Sequence, residues 1–172
     1  MTFSTERYER TMEDKTYNIT FGGTGGQGIL KAAEICGWAA MFAGYHVKKS
    51  EVHGMAQRGG SVESHVRFGK KVFSPVVPQG CADLLVCFHP EEHDRLKAFL
   101  KAGGKDLTEY LEKAKSAIEN PRHLNTFLVG VLSAYLPIGL DCWMKAIESV
   151  FKKKYADENM AIFLKGREMV QL

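Results

Sequence analysis

Three observations predict an α/β fold, a three-layer domain with a mainly parallel sheet. Asn18-Ile19-Thr20-Phe21-Gly22-Gly23-Thr24-Gly25-Gly26-Gln27-Gly28-Ile29-Leu30 reads as a short buried strand, a glycine turn and the opening of a helix. Residues 82–88 are an unbroken apolar run after Asp83, the pattern of a central parallel strand. The last third of the chain repeats apolar residues at helical spacing, which predicts a helical C-terminal part.

Taken in order, residues 1–16 are polar and of mixed charge and read as a flexible leader, leaving 17–172 as a single domain. Strand one covers 17–21. A helix over 28–43 buries Ile29, Leu30, Ala33, Ile35, Cys36, Ala39 and Ala40 and stops at Gly44. Strand two covers 45–49. Strand, helix and strand within about 30 residues make a βαβ unit, with parallel strands and a right-handed crossover. Residues 50–60 read as a polar loop. Residues 61–68 alternate, with Val62, Ser64, Val66 and Phe68 opposing Ser61, Glu63, His65 and Arg67. Gly69-Lys70-Lys71 then turns the chain into a short strand over 72–77, so 61–77 is a hairpin after strand two. A helix over 91–100 follows the central strand. Residues 101–105 read as a glycine turn and 106–118 as a helix, standing where a doubly wound fold would enter another strand. Helices over 123–136, with Pro121 at its start, 140–151 and 156–169 close the chain.

The composition is that of an ordinary globular domain, 45% hydrophobic and 25% charged over 172 residues. A net charge of +3 is too small to argue for nucleic acid or a membrane surface. No apolar run approaches the ~18 residues that a membrane span needs, and the first 15 residues lack the apolar centre of an export signal, which points to the cytoplasm. Cys36, Cys81, Cys87 and Cys142 form no Cys-x-x-Cys pair and sit in apolar stretches, so they read as small core residues and not as metal or cluster ligands. His89 and His93 lack a third ligand, so no metal is expected.

Two stretches carry chemistry. Gly23, Gly25 and Gly28 have the G-x-G-x-x-G spacing between a strand and a helix, and with Gly26 and Gln27 they form a candidate anion or nucleotide loop. The acidic residue that would hold a nicotinamide ribose at the end of strand two is missing, since Glu51 lies beyond Lys48 and Lys49. The same glycines also serve tight strand–helix packing with no ligand at all. The second stretch is Ser50-Glu51-Val52-His53-Gly54-Met55-Ala56-Gln57-Arg58-Gly59-Gly60-Ser61, placed by topology at the carboxyl edge of the sheet, where open α/β folds bind ligands. Glu51, His53, Gln57 and Arg58 offer an acceptor, a titratable ring, an amide and a fixed cation, and Gly59 and Gly60 let a partner come close. A structural surface loop is the plainer alternative. No serine or cysteine nucleophile signature accompanies them.

These residues carry a resemblance. Gly23-Thr-Gly-Gly-Gln-Gly28-Ile-Leu, then Glu51-Val-His-Gly-Met-Ala-Gln-Arg-Gly-Gly-Ser61-Val, then Phe73-Ser-Pro-Val-Val-Pro78 closely resemble the gamma-type subunit or domain of 2-oxoacid:ferredoxin oxidoreductases. The His-Gly-Met-Ala-Gln-Arg-Gly-Gly form looks most like the beta subunit of the indolepyruvate type. Asn120-Pro-Arg122, Asn125, Gly130, Ala146-Ile147 and Asn159 are similar to the family's closing helices. The resemblance implies a Rossmann-like fold and a non-cluster subunit that is inert alone. A companion subunit would carry thiamine diphosphate and [4Fe–4S] clusters, decarboxylate a 2-oxo acid, transfer the acyl group to coenzyme A and send electrons to ferredoxin. On that expectation the chain works in a homo- or hetero-oligomer and binds no cofactor by itself. The edge bearing Glu51, His53, Gln57, Arg58, Gly59 and Gly60 would cover the companion's active site, with Arg58 and His53 meeting a substrate carboxylate or a coenzyme A phosphate. The alternative is a stand-alone nucleotide- or coenzyme A-binding module.

Overall fold

A computed structural model of the chain describes residues 14–54 and 59–170. In chain order the elements are β1 (Tyr17–Thr24), α1 (Ile29–Phe42), β2 (His46–His53), β3 (Ser61–Gly69), β4 (Ala82–Cys87), α2 (His93–Lys97), β5 (Leu100–Asp106), α3 (Leu111–Ala117), α4 (Leu124–Ser133), α5 (Leu140–Val150) and α6 (Lys153–Glu168). Among the described residues one sheet forms, in the order β2-β3-β1-β4-β5. β1, β4 and β5 pair in parallel, and β3 runs antiparallel to both β1 and β2. Four of the five strands therefore point the same way, which is the mainly parallel sheet expected, made mixed by one reversed strand.

Three elements differ from the expectation. The hairpin is β2–β3 and not 61–77: β3 folds back between β1 and β2, pairing Tyr17 with Phe68 on one side and Val47 with Phe68 on the other. β1 and β2 keep the parallel sense of a βαβ unit without being neighbours. Residues 72–77 form no strand. They cross the sheet as a strap, because Pro75 and Pro78 remove backbone donors a ladder would need. Second, β2 continues through Ser50, Glu51, Val52 and His53, which the polar composition had suggested were loop. Ladder pairing with the interior strand β3 overrides that local bias. Third, Leu100–Asp106 is a strand, so Lys-Ala-Gly-Gly-Lys is not a turn and the helix begins only at Leu111. Gly104 is required there by crowding, since a Cβ would lie 2.9 Å from the Ala82 carbonyl oxygen. The expected doubly wound entry into a further strand thus exists, and the helix expected over 91–100 shrinks to a 3₁₀ turn and α2.

The two faces of the sheet are unequally covered. Ile19, Phe21, Val66, Phe68, Leu84 and Val86 point to one side, where α1, α4 and α5 close the main core. On the other side Leu85 and Cys87 meet Leu96 of α2 in a small cluster. α4 and α6 pack closely at two glycines: a Cβ on Gly130 would run into the Phe163 carbonyl, and one on Gly166 into the Phe127 carbonyl. Cys36, Cys87 and Cys142 are buried as expected, and burial pushes each thiol up from its ordinary value. Cys81 is exposed, a correction that follows from its place in the turn just before β4. Of the expected leader, residues 1–13 lie outside the described residues. Residues 14–16 run beside Gly69, whose missing Cβ makes room for the Lys15 carbonyl. No helix among the described residues is long and apolar enough to cross a membrane.

Candidate functional site

The carboxyl ends of β1, β2 and β4 and the start of β3 meet at one edge of the sheet. The glycine loop lies there. Gly26 and Gly28 take left-handed backbone angles, φ 90° and 78°, which L side chains adopt only with strain. Gly28 is doubly constrained, since a Cβ would lie 2.5 Å from Asn125 Nδ2. Gly23 is required by proximity to Phe88 and to the Gln27 amide. Gln27 itself points into the protein. Its Oε1 accepts from the Thr24 N–H at 2.8 Å, and its Nε2 donates to the Phe88 carbonyl at 2.9 Å. Its side-chain amide thus closes the turn, and what it leaves to the loop is its backbone.

The sequence placed the glycine loop beside the segment after strand two, and the structure brings the two together. The Gly25 N–H donates to the Gly60 carbonyl at 2.9 Å, and Gly59 has a left-handed φ of 64°. His53 lines a cavity of about 520 Å³ with Gly25, Gly26, Gly28, Lys31 and Glu34. Glu51 does not line it: Lys49 Nζ holds one of its carboxylate oxygens at 2.8 Å, and His53 Nε2 stands 3.9 Å from the other. Gln57 and Arg58 lie outside the described residues.

Several residues that sequence reasoning did not single out for this edge also shape it. A second cavity, about 580 Å³, opens on the far side of the glycine loop between Gly26, Gly28, Ile118, Leu124, Lys115 and Arg122. Asn125 Nδ2 donates to the Gly28 carbonyl at 3.4 Å, and Thr126 Oγ1 donates to Asn159 Oδ1 at 2.7 Å. Those contacts tie the start of α1 to α4 and α6. Asn120-Pro-Arg122, Asn125 and Asn159 stood out in the sequence only through the resemblance. Their spacing carries no local signal of a common role.

Behind the edge runs a buried polar network. β3 turns Glu63 and His65 away from the main core, 9% and 2% exposed. Thr20 Oγ1 lies 3.1 Å from His65 Nδ1, and His65 Nε2 lies 3.3 Å from Glu63 Oε1. Arg95 donates to Glu63 and, from Nε, to Glu92 at 2.9 Å; Ser61 Oγ donates to Glu92 Oε1 at 2.9 Å. The hydrogen bond from His65, with that from Arg95, holds the Glu63 carboxyl below its ordinary value against the opposing effect of burial. The ionised carboxylate in turn favours the tautomer with the proton on His65 Nε2. The alternation of 61–68 had shown this polar face, but the interior place of β3 is what buries it.

His93 Nε2 contacts Asp106 Oδ2 at 2.6 Å, and His89 Nδ1 accepts the Glu91 N–H that caps the next turn. Among the described residues no group of three or more His, Cys, Asp or Glu could hold a metal ion.

The indolepyruvate oxidoreductase subunit IorB of Thermococcus kodakarensis is 54% identical over 90 residues, 52% of this chain and 45% of that protein, so the chain spans about half the length of that relative. The IorB subunit of Archaeoglobus fulgidus is 33% identical over 191 residues, covering 87% of this chain and 92% of the relative. A solved structure of 2-oxoglutarate:ferredoxin oxidoreductase from Magnetococcus marinus, with 2-oxoglutarate, coenzyme A and succinyl-CoA bound, shares the fold at a TM-score of 0.74 and 20% identity. It is matched over 91% of this chain and 31% of that longer one. The matched family model, described as pyruvate ferredoxin/flavodoxin oxidoreductase, spans residues 18–109, which takes in the glycine loop, the β2–β3 hairpin and β5. With that span and the near full-length Archaeoglobus relative, the chain belongs to the pyruvate ferredoxin/flavodoxin oxidoreductase family.

Proposed function

We propose that the chain is the cluster-free small subunit of a thiamine diphosphate-dependent 2-oxoacid:ferredoxin oxidoreductase of the indolepyruvate or arylpyruvate type. The observation that carries the reading is its likeness to the Archaeoglobus IorB subunit along nearly the whole of both chains. The geometry supports it. The edge holding His53, Gly59 and Gly60 is bonded to the glycine loop and borders the cavity of about 520 Å³, a surface that a neighbouring subunit could close. On this reading thiamine diphosphate and the [4Fe–4S] clusters belong to a companion subunit, coenzyme A enters the assembled complex, and ferredoxin takes the electrons. Three buried cysteines in three separate elements give this chain no cluster cradle. The four free cysteines and the ferredoxin-linked chemistry fit a cytoplasmic setting.

Arg58, with His53, binds the substrate carboxylate or a coenzyme A phosphate, arginine being suited to such planar anions. The test is reconstitution with the companion subunit and measurement of arylpyruvate-dependent ferredoxin reduction. The chain alone is expected to be inactive. Arg58→Ala in the complex should lower kcat/KM by about 10- to 100-fold, the worth of one charged hydrogen-bonded contact. Activity of the chain without a companion would refute the reading.

The second cavity favours one other reading, a module that binds a nucleotide or coenzyme A by itself. Lys115 and Arg122 stand there with apolar Ile118 and Leu124 beside left-handed Gly26 and Gly28. Calorimetry of the isolated chain with coenzyme A and adenine nucleotides separates the two, tight binding supporting the module.

A further inference from the structure

The strap over 72–77 is built to show apolar side chains to the outside. Val72 and Val77 are buried beneath it, whereas Phe73 is 80% and Val76 52% exposed. Two side chains of the sheet pin three of its carbonyls. Arg67 Nη1 donates to Ser74 at 2.9 Å and to Val76 at 3.3 Å, and Ser50 Oγ donates to Pro75 at 3.1 Å. The Val72 N–H reaches His46 Nδ1 at 3.0 Å. The strap is therefore held in place along β2, and Val52, 52% exposed, continues the patch on the same face of that edge strand towards His53. A segment held by this many bonds that still turns a phenylalanine into water is preorganised for a partner.

The charges select the partner. Lys71 Nζ stands 5.1 Å from the Phe73 ring centroid, and Lys48 lies opposite Arg67 in the ladder, whereas Lys70 is paired with Asp14 at 3.6 Å. No carboxylate occurs in residues 70–78 or on that face of β2, where His46, Lys48, Ser50 and Val52 stand. Two copies docked through this patch would bring cations together, which disfavours self-association.

We propose that the Phe73–Val76 strap, with Val52, is the docking surface for the companion subunit, which presents an apolar pocket bordered by carboxylates. The proposal rests on the function proposed above. It adds a contact on the back of β2, outside the two cavities beside the glycine loop.

Co-expression of this chain with the companion, followed by co-purification and titration, tests it. Phe73→Asp with Val76→Asp should weaken association by about 30-fold or more, as loss of a hot-spot pair does, with an unchanged melting temperature for the isolated chain. Lys70→Glu with Lys71→Glu, which leaves the apolar residues in place, should weaken it less and make the remainder less sensitive to salt. Equal binding by wild type and the Phe73/Val76 variant overturns this proposal alone. A wild-type chain that fails to bind the companion overturns the functional reading with it. Self-association, or binding to vesicles containing phosphatidylserine, that is lost in the Phe73/Val76 variant while companion binding persists, also overturns it.

Discussion

Gly28 shows how much one residue settles. It takes a left-handed φ, begins α1, accepts a hydrogen bond from Asn125 and walls both cavities. Gly28→Ala meets two penalties at once, the left-handed angle and a Cβ pressed against the Asn125 amide. The expected loss of stability is about 2–3 kcal/mol, read as a lower midpoint in urea denaturation. Combining it with Asn125→Gly should recover part of that loss, because only the steric penalty is relieved. Gln27 teaches the opposite lesson. It belongs to the candidate anion loop by position, while the donor and acceptor of its side chain are both used by Phe88 and Thr24. Residue type located the loop correctly, and only side-chain direction separates a clamp from a contact.

At the scale of elements, β3 decides the architecture. Its inward residues Val66 and Phe68 feed the main core while Glu63 and His65 feed the polar network, so a slip by one residue would exchange the two sets. The network is tied to pH. Glu63 is held below its ordinary value of 4.5, first by the His65 hydrogen bond and then by Arg95. Its contribution is therefore complete above the unfolded value and is lost as pH falls through the lower, folded one. Stability measured from pH 6 to pH 2 should fall on that limb, and Glu63→Gln should flatten it. Arg95→Met leaves two carboxylates facing each other and should cost about 2 kcal/mol at neutral pH, most of it returned by adding Glu63→Gln. Helices α1, α4, α5 and α6 were legible in the sequence to within a few residues because their apolar spacing is strong. The edge strands were not. β2 was cut short by its polar residues, and β5 was hidden by two glycines, because what makes either a strand is a neighbour far away in the chain.

Across the whole molecule, the same distinction separates what the sequence revealed of the site from what it did not. Topology alone brought residues 23–28 to one edge with 51–54 and 59–60, and the hydrogen bond from Gly25 to Gly60 joins them. The second cavity was illegible because Arg122 and Lys115 come from segments nearly a hundred residues downstream, and no local pattern links them to the glycine loop. The closing helices hold that arrangement through α4 and α6. Gly130→Ala or Gly166→Ala would force these helices apart and should lower the melting temperature by several degrees, with a loss of about 2 kcal/mol or more.

Both cavities use Gly26 and Gly28 as a common wall. Occupancy on its two sides is therefore a matter of thermodynamic linkage. A ligand that shifts this short backbone from one side changes the affinity on the other, and reciprocity requires the same factor in both directions. The wall is the short segment Gly26-Gln27-Gly28, whose one side chain is bonded inward to Thr24 and Phe88. Two solutes bound there would report on each other through free energy alone, without ever touching.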